Sequence, residues 1–315
     1  MSPQPPATRG LGVLPLSWAG KRPSGARKRR LVPYLLLAPS LLLFVGILIY
    51  PLVYSLYLSF HSYQLGASLG SARFTGLANY ARLIQDPQFR SALVIGLSYV
   101  GWTTVVNIVL GMALALVFAR PVRGIGLIRA LAILPMMFTP VAVGLVFRLL
   151  FNSLYGWFNY FLSLVGIPPQ TFAADPVQAF WVIVFVESWR HVPFMMLIFL
   201  AGLAALPKEP YEAAAIDGAR AWQSFTYVTL PLLRPLIALA VLIRGMDSLR
   251  QFDQIFALTH GGPGGATEVL SLYIYRISFG ETQLGLGLAA SWVMILLTVA
   301  GSVVLTHFVY RRGDA

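Results

Sequence analysis

The 315-residue chain contains no cysteine. That excludes disulfide bridges, thiolate metal sites and cysteine nucleophiles, and it leaves the compartment open, because a cysteine-free chain suits either side of a membrane. Charge is scarce as well: 11% of the residues are Asp, Glu, Lys or Arg, against about 25% in a soluble domain. Lysine occurs only at Lys21, Lys28 and Lys208, and none is followed by Ser or Thr. The chain therefore has no GxxxxGK[ST] phosphate loop, and it also lacks the GxSxG and HExxH hydrolase patterns. Any ATP hydrolysis would fall to a separate polypeptide gripping a surface of this one, with ATP and magnesium held there and no cofactor on this chain. His61, His191, His260 and His307 sit on different segments and offer no metal-ligand spacing.

What is present is apolar sequence: 57% of residues are hydrophobic and mean hydropathy is +0.74. Six runs reach the ~20 residues needed to cross a bilayer. They lie at about 33–60, 91–118, 128–150, 178–203, 235–257 and 285–309. The first is too long for a signal-peptide core of about 7–15 residues and is read as an uncleaved span. The expected fold is an all-α membrane protein: a transmembrane domain over 33–312 behind a disordered, basic tail over 1–32 that ends in Arg27-Lys28-Arg29-Arg30. Six spans put both termini on one side. With that side cytoplasmic, the inner segments hold 15 Lys and Arg and the outer loops hold 4, as the positive-inside rule requires. The same rule accounts for the net charge of +12 without nucleic acid as a partner.

The outer loops look ordered. Residues 61–90 include an interfacial-helix pattern, 151–177 contain the breaker Gly166-Ile167-Pro168-Pro169, and His260-Gly261-Gly262-Pro263-Gly264-Gly265 reads as a tight turn or a flexible lid. Pro135 and Pro140 in span three and Pro193 in span four are expected to kink their helices.

Ionisable residues inside spans each cost at least ~2.5–3.5 kcal/mol on insertion scales and are functional by default. Span four carries Glu187, Arg190 and His191 on one helical face, flanked by Trp189 and Phe194. Span five carries Arg244, Asp247, Arg250 and Asp253 at three-residue steps, with Ser248 and Gln251 extending the Arg244 face. Arg244 and Glu187 both fall on the order of 14 Å inside their helix ends, near the midplane. Three Arg, two Asp and one Glu sum to zero charge, which suits an uncharged polyhydroxylated ligand better than an anion. The alternative is that these charges only pair with one another and staple spans four and five. No acidic ladder continues along the other spans, which argues against a proton pump.

The loop at 206–234, between spans four and five, reads Glu212-Ala213-Ala214, then Asp217-Gly218-Ala219, then Leu230-Pro231-Leu232. This spacing resembles the EAA loop of ABC importer permeases. Gly76-Leu77-Ala78-Asn79-Tyr80, Ile133-Leu134-Pro135 and the stretch from Phe252-Asp253 to Gly262-Pro263 resemble the carbohydrate, maltose-permease-like branch, and the likeness runs over about residues 30–312. The resemblance implies a sugar-importing permease of the plasma membrane. It implies as partners a second homologous permease subunit, an ATPase dimer and an extracytoplasmic sugar-binding protein, besides the membrane lipid. Glu212, Ala213, Ala214, Asp217 and Gly218 would then form the coupling helix that seats in the ATPase. Glu187, Arg190, His191, Phe194, Arg244, Asp247, Ser248 and Gln251 would meet the substrate, with Arg250 and Asp253 beside them. More ionic than the maltose type at several of these positions, the cavity points to a different sugar. Two other readings are a permease for a glycerol-phosphate-like anion and an ion-coupled secondary transporter.

Overall fold

A computed structural model describes residues 36–120 and 123–310. The expected basic tail and Arg311-Arg312 lie outside the described residues. Contact density divides the chain between Tyr54 and Ser55. The first unit holds most of helix α1, Leu36–Ser59, whose apolar side chains up to Tyr54 are largely exposed.

The second unit carries the other helices. A short antiparallel ribbon pairs β1 (His61–Ser62) with β2 (Arg73–Phe74), a small exception to an all-helical fold. Helix α2 (Ala78–Gln85) follows, then α3 (Pro87–Phe118). Helix α3 begins with a proline at its first position and with Asp86 as its cap, the carboxylate accepting from Gln88 N at 2.8 Å. The same Asp-Pro device opens α7 (Pro176–Ala204), where Asp175 accepts from Val177 N and Gln178 N. Helix α7 continues through Pro193. Between them lie α4 (Ile125–Met137), α5 (Pro140–Leu150) and α6 (Trp157–Leu164). Beyond α7 come α8 (Glu209–Ile216), α9 (Ala221–Leu232), α10 (Arg234–Leu249), α11 (Asp253–Thr259), α12 (Leu270–Tyr275) and α13 (Leu284–Tyr310).

Among the described residues four helices, α1, α3, α7 and α13, are long and apolar enough to cross a membrane alone; counting each bent pair as one span raises the total to as many as six. Two expected spans differ in form. The third is not one helix: α4 and α5 meet at 93°. Phe138 and Thr139 are extended, with ψ of 143° and 142°; Thr139 is so because the residue before a proline, here Pro140, is disfavoured in the α region. The fifth stops at Leu249 rather than 257, and α10 forms a bent pair with α9 at 67°. Phe252 (φ −129°, ψ −60°) breaks the path, and Ser271 Oγ donates to the freed Gln251 carbonyl at 2.6 Å.

Helices α3 and α7 run parallel and form the centre of the packing. Towards their first turns an apolar cluster gathers Tyr99, Phe147, Phe151, Ile183 and Val186. Towards their last turns another gathers Met112, Met195, Met196 and Phe199. Close approach there depends on Gly111, where a Cβ would fall 2.5 Å from the Met195 Cβ.

Candidate functional site

Between these two apolar clusters lies a polar layer. Helix α7 contributes Glu187 and Ser188, α10 contributes Arg244 and Ser248, and α3 contributes Tyr99, Thr103, Thr104 and Asn107, all buried. Arg244 donates through Nη2 to Glu187 Oε1 and, at 3.0 Å, to Ser248 Oγ. Thr103 donates to Ser248 Oγ at 3.2 Å, which joins α3 to the pair. His191 Nδ1 stands 2.9 Å from the same Glu187 oxygen. The geometry is that of a cross-helix staple between α7 and α10. It is incompletely satisfied: Glu187 Oε2, Arg244 Nε, the Tyr99 hydroxyl and both amide atoms of Asn107 have no hydrogen-bond partner among the described residues.

The other charged residues lie around this layer. Arg190 turns to Gln254, donating through Nε at 3.2 Å. Asp247 is exposed and takes Arg250 at 3.2 Å, with Arg244 Nη1 at 3.9 Å. Asp253 begins α11, beyond the break, so the expected ladder from Arg244 to Asp253 does not continue along one helix. Gln251 and Phe194 are half-buried, Phe194 against the cluster that holds Met195 and Phe199. Trp189 meets Phe147 edge-on at 5.1 Å. Sequence reasoning missed the α3 contribution. The signal was present as Thr103, Thr104 and Asn107, polar side chains at i, i+1 and i+4 in a mostly apolar run, whose burial in hydrocarbon is costly.

The 206–234 loop forms a second candidate site. Glu209 and Glu212 occupy the first turn of α8, where the helix dipole favours negative charge. Gly218 reverses the chain with φ +72°, a conformation that glycine adopts without a Cβ penalty. Arg220 N then donates to Gln223 Oε1 at 2.7 Å as α9 begins. The Tyr211 hydroxyl and Thr229 Oγ1, 2.9 Å apart, tie the two helices together. Glu212, Ala213, Asp217 and Gly218 are exposed and Ala214 is half-buried. Ile216, Trp222 and Tyr227 are 87%, 71% and 79% exposed, leaving an apolar surface beside the motif.

A third polar group lies at the end where α3 and α7 begin. The His260–Gly265 segment is a tight turn, closed by the Thr259 and Thr267 hydroxyls at 2.7 Å and by Thr267 Oγ1 donating to the Gly262 carbonyl at 2.8 Å. With Gln88, Ser91, Glu268 and Arg276 it lines a hollow of about 380 Å³. Arg276 donates to Glu268 at 2.6 Å, to Gln88 at 2.9 Å and to Glu281. The Tyr273 hydroxyl donates to Asp86 at 2.5 Å. Burial pushes the Asp86 carboxyl up, but the Tyr273 hydroxyl, the Gln88 and Phe89 N–H groups and Arg276 outweigh it and hold it below its usual value. Burial, with the Asp86 hydrogen bond, raises the Tyr273 phenol well above its usual value. Among the described residues, no three His, Asp or Glu side chains converge to hold a metal ion.

Known proteins match this arrangement along nearly the whole chain. The chain is 34% identical over 281 residues to the trehalose/maltose transport system permease protein MalF of Thermococcus litoralis, covering 89% of this chain and 94% of that one. It is 32% identical over 284 residues to the sn-glycerol-3-phosphate transport system permease protein UgpA of Agrobacterium fabrum, covering 90% and 96%. A bacterial alginate ABC transporter, solved in complex with an alginate pentasaccharide-bound periplasmic protein, shares the fold with a TM-score of 0.78 at 22% identity, over 92% of this chain and 98% of that one. Residues 107–312 match the family of binding-protein-dependent transport system inner membrane components. With its apolar helices and its EAA loop, the chain belongs to that family: it is a multi-pass inner-membrane permease of an ABC transport system.

Proposed function

We propose that this permease is one membrane subunit of an ATP-driven importer that moves a neutral sugar, an oligosaccharide or a polyol by alternating access. In this reading α4–α5 and α9–α10 each count as one span, giving six spans with both termini cytoplasmic. The transmembrane domain begins near residue 33, behind the 1–32 tail. The observation that carries the proposal is the exposed Glu212–Gly218 turn. Two short helices are set by a left-handed glycine and tied by Tyr211 and Thr229, presenting Glu212, Ala213, Ala214 and Asp217 as a rigid surface. A rigid element of this kind converts closure of an ATPase dimer into tilting of the helices attached to it. ATP and magnesium stay on that ATPase, and this chain is not an enzyme. A second permease subunit and an extracytoplasmic sugar-binding protein complete the importer.

Substrate passes the charge-balanced face of α7, α10 and α11. Arg190, His191, Asp247, Arg250, Gln251 and Asp253 form its accessible polar rim. Glu187, Arg244 and Ser248 form its closed floor, and Phe194 supports it from below. The relative named for sn-glycerol-3-phosphate supports an anion as the second reading. The zero net charge of the six acidic and basic residues favours the sugar, because an anion wants surplus Arg or Lys.

The test is uptake of radiolabelled trehalose, maltose and glycerol 3-phosphate into proteoliposomes holding the complete transporter with its binding protein. Sugar uptake that requires ATP is expected. Uptake that persists without the ATPase and collapses with the proton gradient would overturn the importer reading. Uptake of glycerol 3-phosphate alone would overturn the neutral substrate.

A further inference from the structure

Residues 149–174, from the last two residues of α5 to the threshold of α7, contain no charged side chain. A water-exposed stretch of 26 residues would carry several. The segment is nonetheless held firmly. Asn159 Nδ2 donates to the Ser153 and Gln170 carbonyls at 3.0 and 2.9 Å, and Asn159 Oδ1 accepts from Gln170 N at 2.9 Å. Phe158 stacks on Phe151 with centroids 4.2 Å apart and meets Phe185 of α7 at 6.3 Å. These contacts pin one face of α6. The opposite face is a stripe at positions i, i+3, i+4 and i+7, where Trp157, Tyr160, Phe161 and Leu164 are 61%, 57%, 55% and 66% exposed.

The depth of this stripe follows from its contact with α7. Phe185 lies nine residues into that helix, about 14 Å along its axis. Helix α6 therefore folds back beside the span and does not stand above it. The 29 residues of α7 rise about 44 Å, so centred on the ~30 Å hydrocarbon core the helix extends about 7 Å beyond it at each end, and the meeting point falls about 7 Å inside the headgroup–acyl boundary, the depth to which an interfacial helix buries its apolar face. Exposed apolar side chains also stand on the spans at either end of the segment, Leu149 on α5 and Val177 and Trp181 on α7.

We propose that α6 is an interfacial membrane helix whose Trp157–Leu164 stripe lies in the headgroup–acyl boundary of the bilayer and anchors the α5–α7 connection there. Amphipathic aromatic rings concentrate at this depth, and a short helix lying in the interface plane buries its apolar face among the acyl chains. A protein partner fits less well, because protein interfaces keep a polar rim around their apolar core, and this segment offers no charge to build one.

This chain contains no cysteine, so beside cysteine-free partner subunits each introduced cysteine takes a single label. Phe161→Cys and, separately, Leu164→Cys carry a nitroxide label in the complete transporter reconstituted in phospholipid nanodiscs. Collision with molecular oxygen and with a water-soluble nickel chelate is then measured against a Ser68→Cys reference, an exposed position between β1 and β2. Both labels are expected to show oxygen collision several-fold above, and nickel collision several-fold below, the reference. Nickel collision equal to the reference would place the stripe in water and overturn the proposal. Shielding from both reagents would show that protein covers it and would overturn it equally. The two positions are tested independently, so failure of one variant to assemble leaves the other decisive.

Discussion

Glu187 and Arg244, 57 residues apart in sequence, meet in a layer closed to solvent. Removing one leaves the other buried without its closest charged partner, Glu187 keeping His191 and Arg244 keeping the longer contact to Asp247, at a cost of up to about 3–5 kcal/mol. Glu187→Ala and Arg244→Ala are each expected to lower the thermal midpoint of the detergent-solubilised protein, and the double variant should lose clearly less than the two losses added together. Strict additivity would show that the pair is not coupled. The sequence revealed each of these residues as an intramembrane charge and offered a staple between spans four and five as one alternative, but not which residues pair, because three- and four-residue spacing relates side chains along one helix and not between two. The Asp86–Tyr273 contact was illegible for the same reason, its members being 187 residues apart. It carries a pH dependence of its own. A carboxyl depressed by folding adds stability above its unfolded value and loses it as pH falls through the lower folded value. A phenol raised by folding adds stability below about pH 10 and loses it as pH climbs beyond. Tyr273→Phe removes the largest of the lowering influences on Asp86. The acid limb of the unfolding profile is expected to move to higher pH, and an unmoved limb would discount the contact.

Helix α3 approaches α7 so closely at Gly111 that an added Cβ would lie 2.5 Å from the Met195 Cβ and 3.1 Å from the Met195 and Met196 backbone. Backbone cannot swing aside as a side-chain tip can, so Gly111→Ala has to separate two spans. Overpacking of this kind costs about 1–3 kcal/mol. A lowered thermal midpoint is expected, and an unchanged one would show that the contact is loose. At this scale the sequence was legible wherever the apolar run was unbroken: α3, α7 and α13 begin and end within a few residues of their expected limits. Span three broke at a residue that local chemistry could name, since Pro140 forces Thr139 out of the helical region. Span five broke where no proline or glycine stands, at Arg250, Gln251 and Phe252. That break is held by Ser271, 20 residues downstream. A tertiary contact set it, and no local signal could have announced it.

Across the whole molecule, two surfaces divide along the chain's charge pattern: a charge-free segment around α6 and a polar, exposed turn around α8 and α9. The turn was legible because its geometry is local. Helix, left-handed glycine and helix follow from Glu212-Ala213-Ala214 and Gly218 alone. What the sequence could not show was the clasp between Tyr211 and Thr229 that keeps the two helices at a fixed angle. If this surface carries force from an ATPase, its stiffness and its charge are separable. Gly218→Pro imposes a φ near −65° where the chain needs +72°, so it should unhinge the turn while leaving the spans folded. Glu212→Ala would take away the carboxylate that a donor on the ATPase can grip, a charge-assisted hydrogen bond worth about 1.5–3 kcal/mol, and should weaken capture of the ATPase roughly tenfold or more. The expected signature differs between the two. Glu212→Ala should recover transport when ATPase is supplied in excess, whereas Gly218→Pro should stay uncoupled, hydrolysing ATP without uptake or failing to respond to the loaded binding protein. Thermal midpoints near that of the unaltered protein would confirm that neither variant has damaged the membrane domain. Normal uptake in both, at limiting ATPase, would remove this turn from the energy-coupling path.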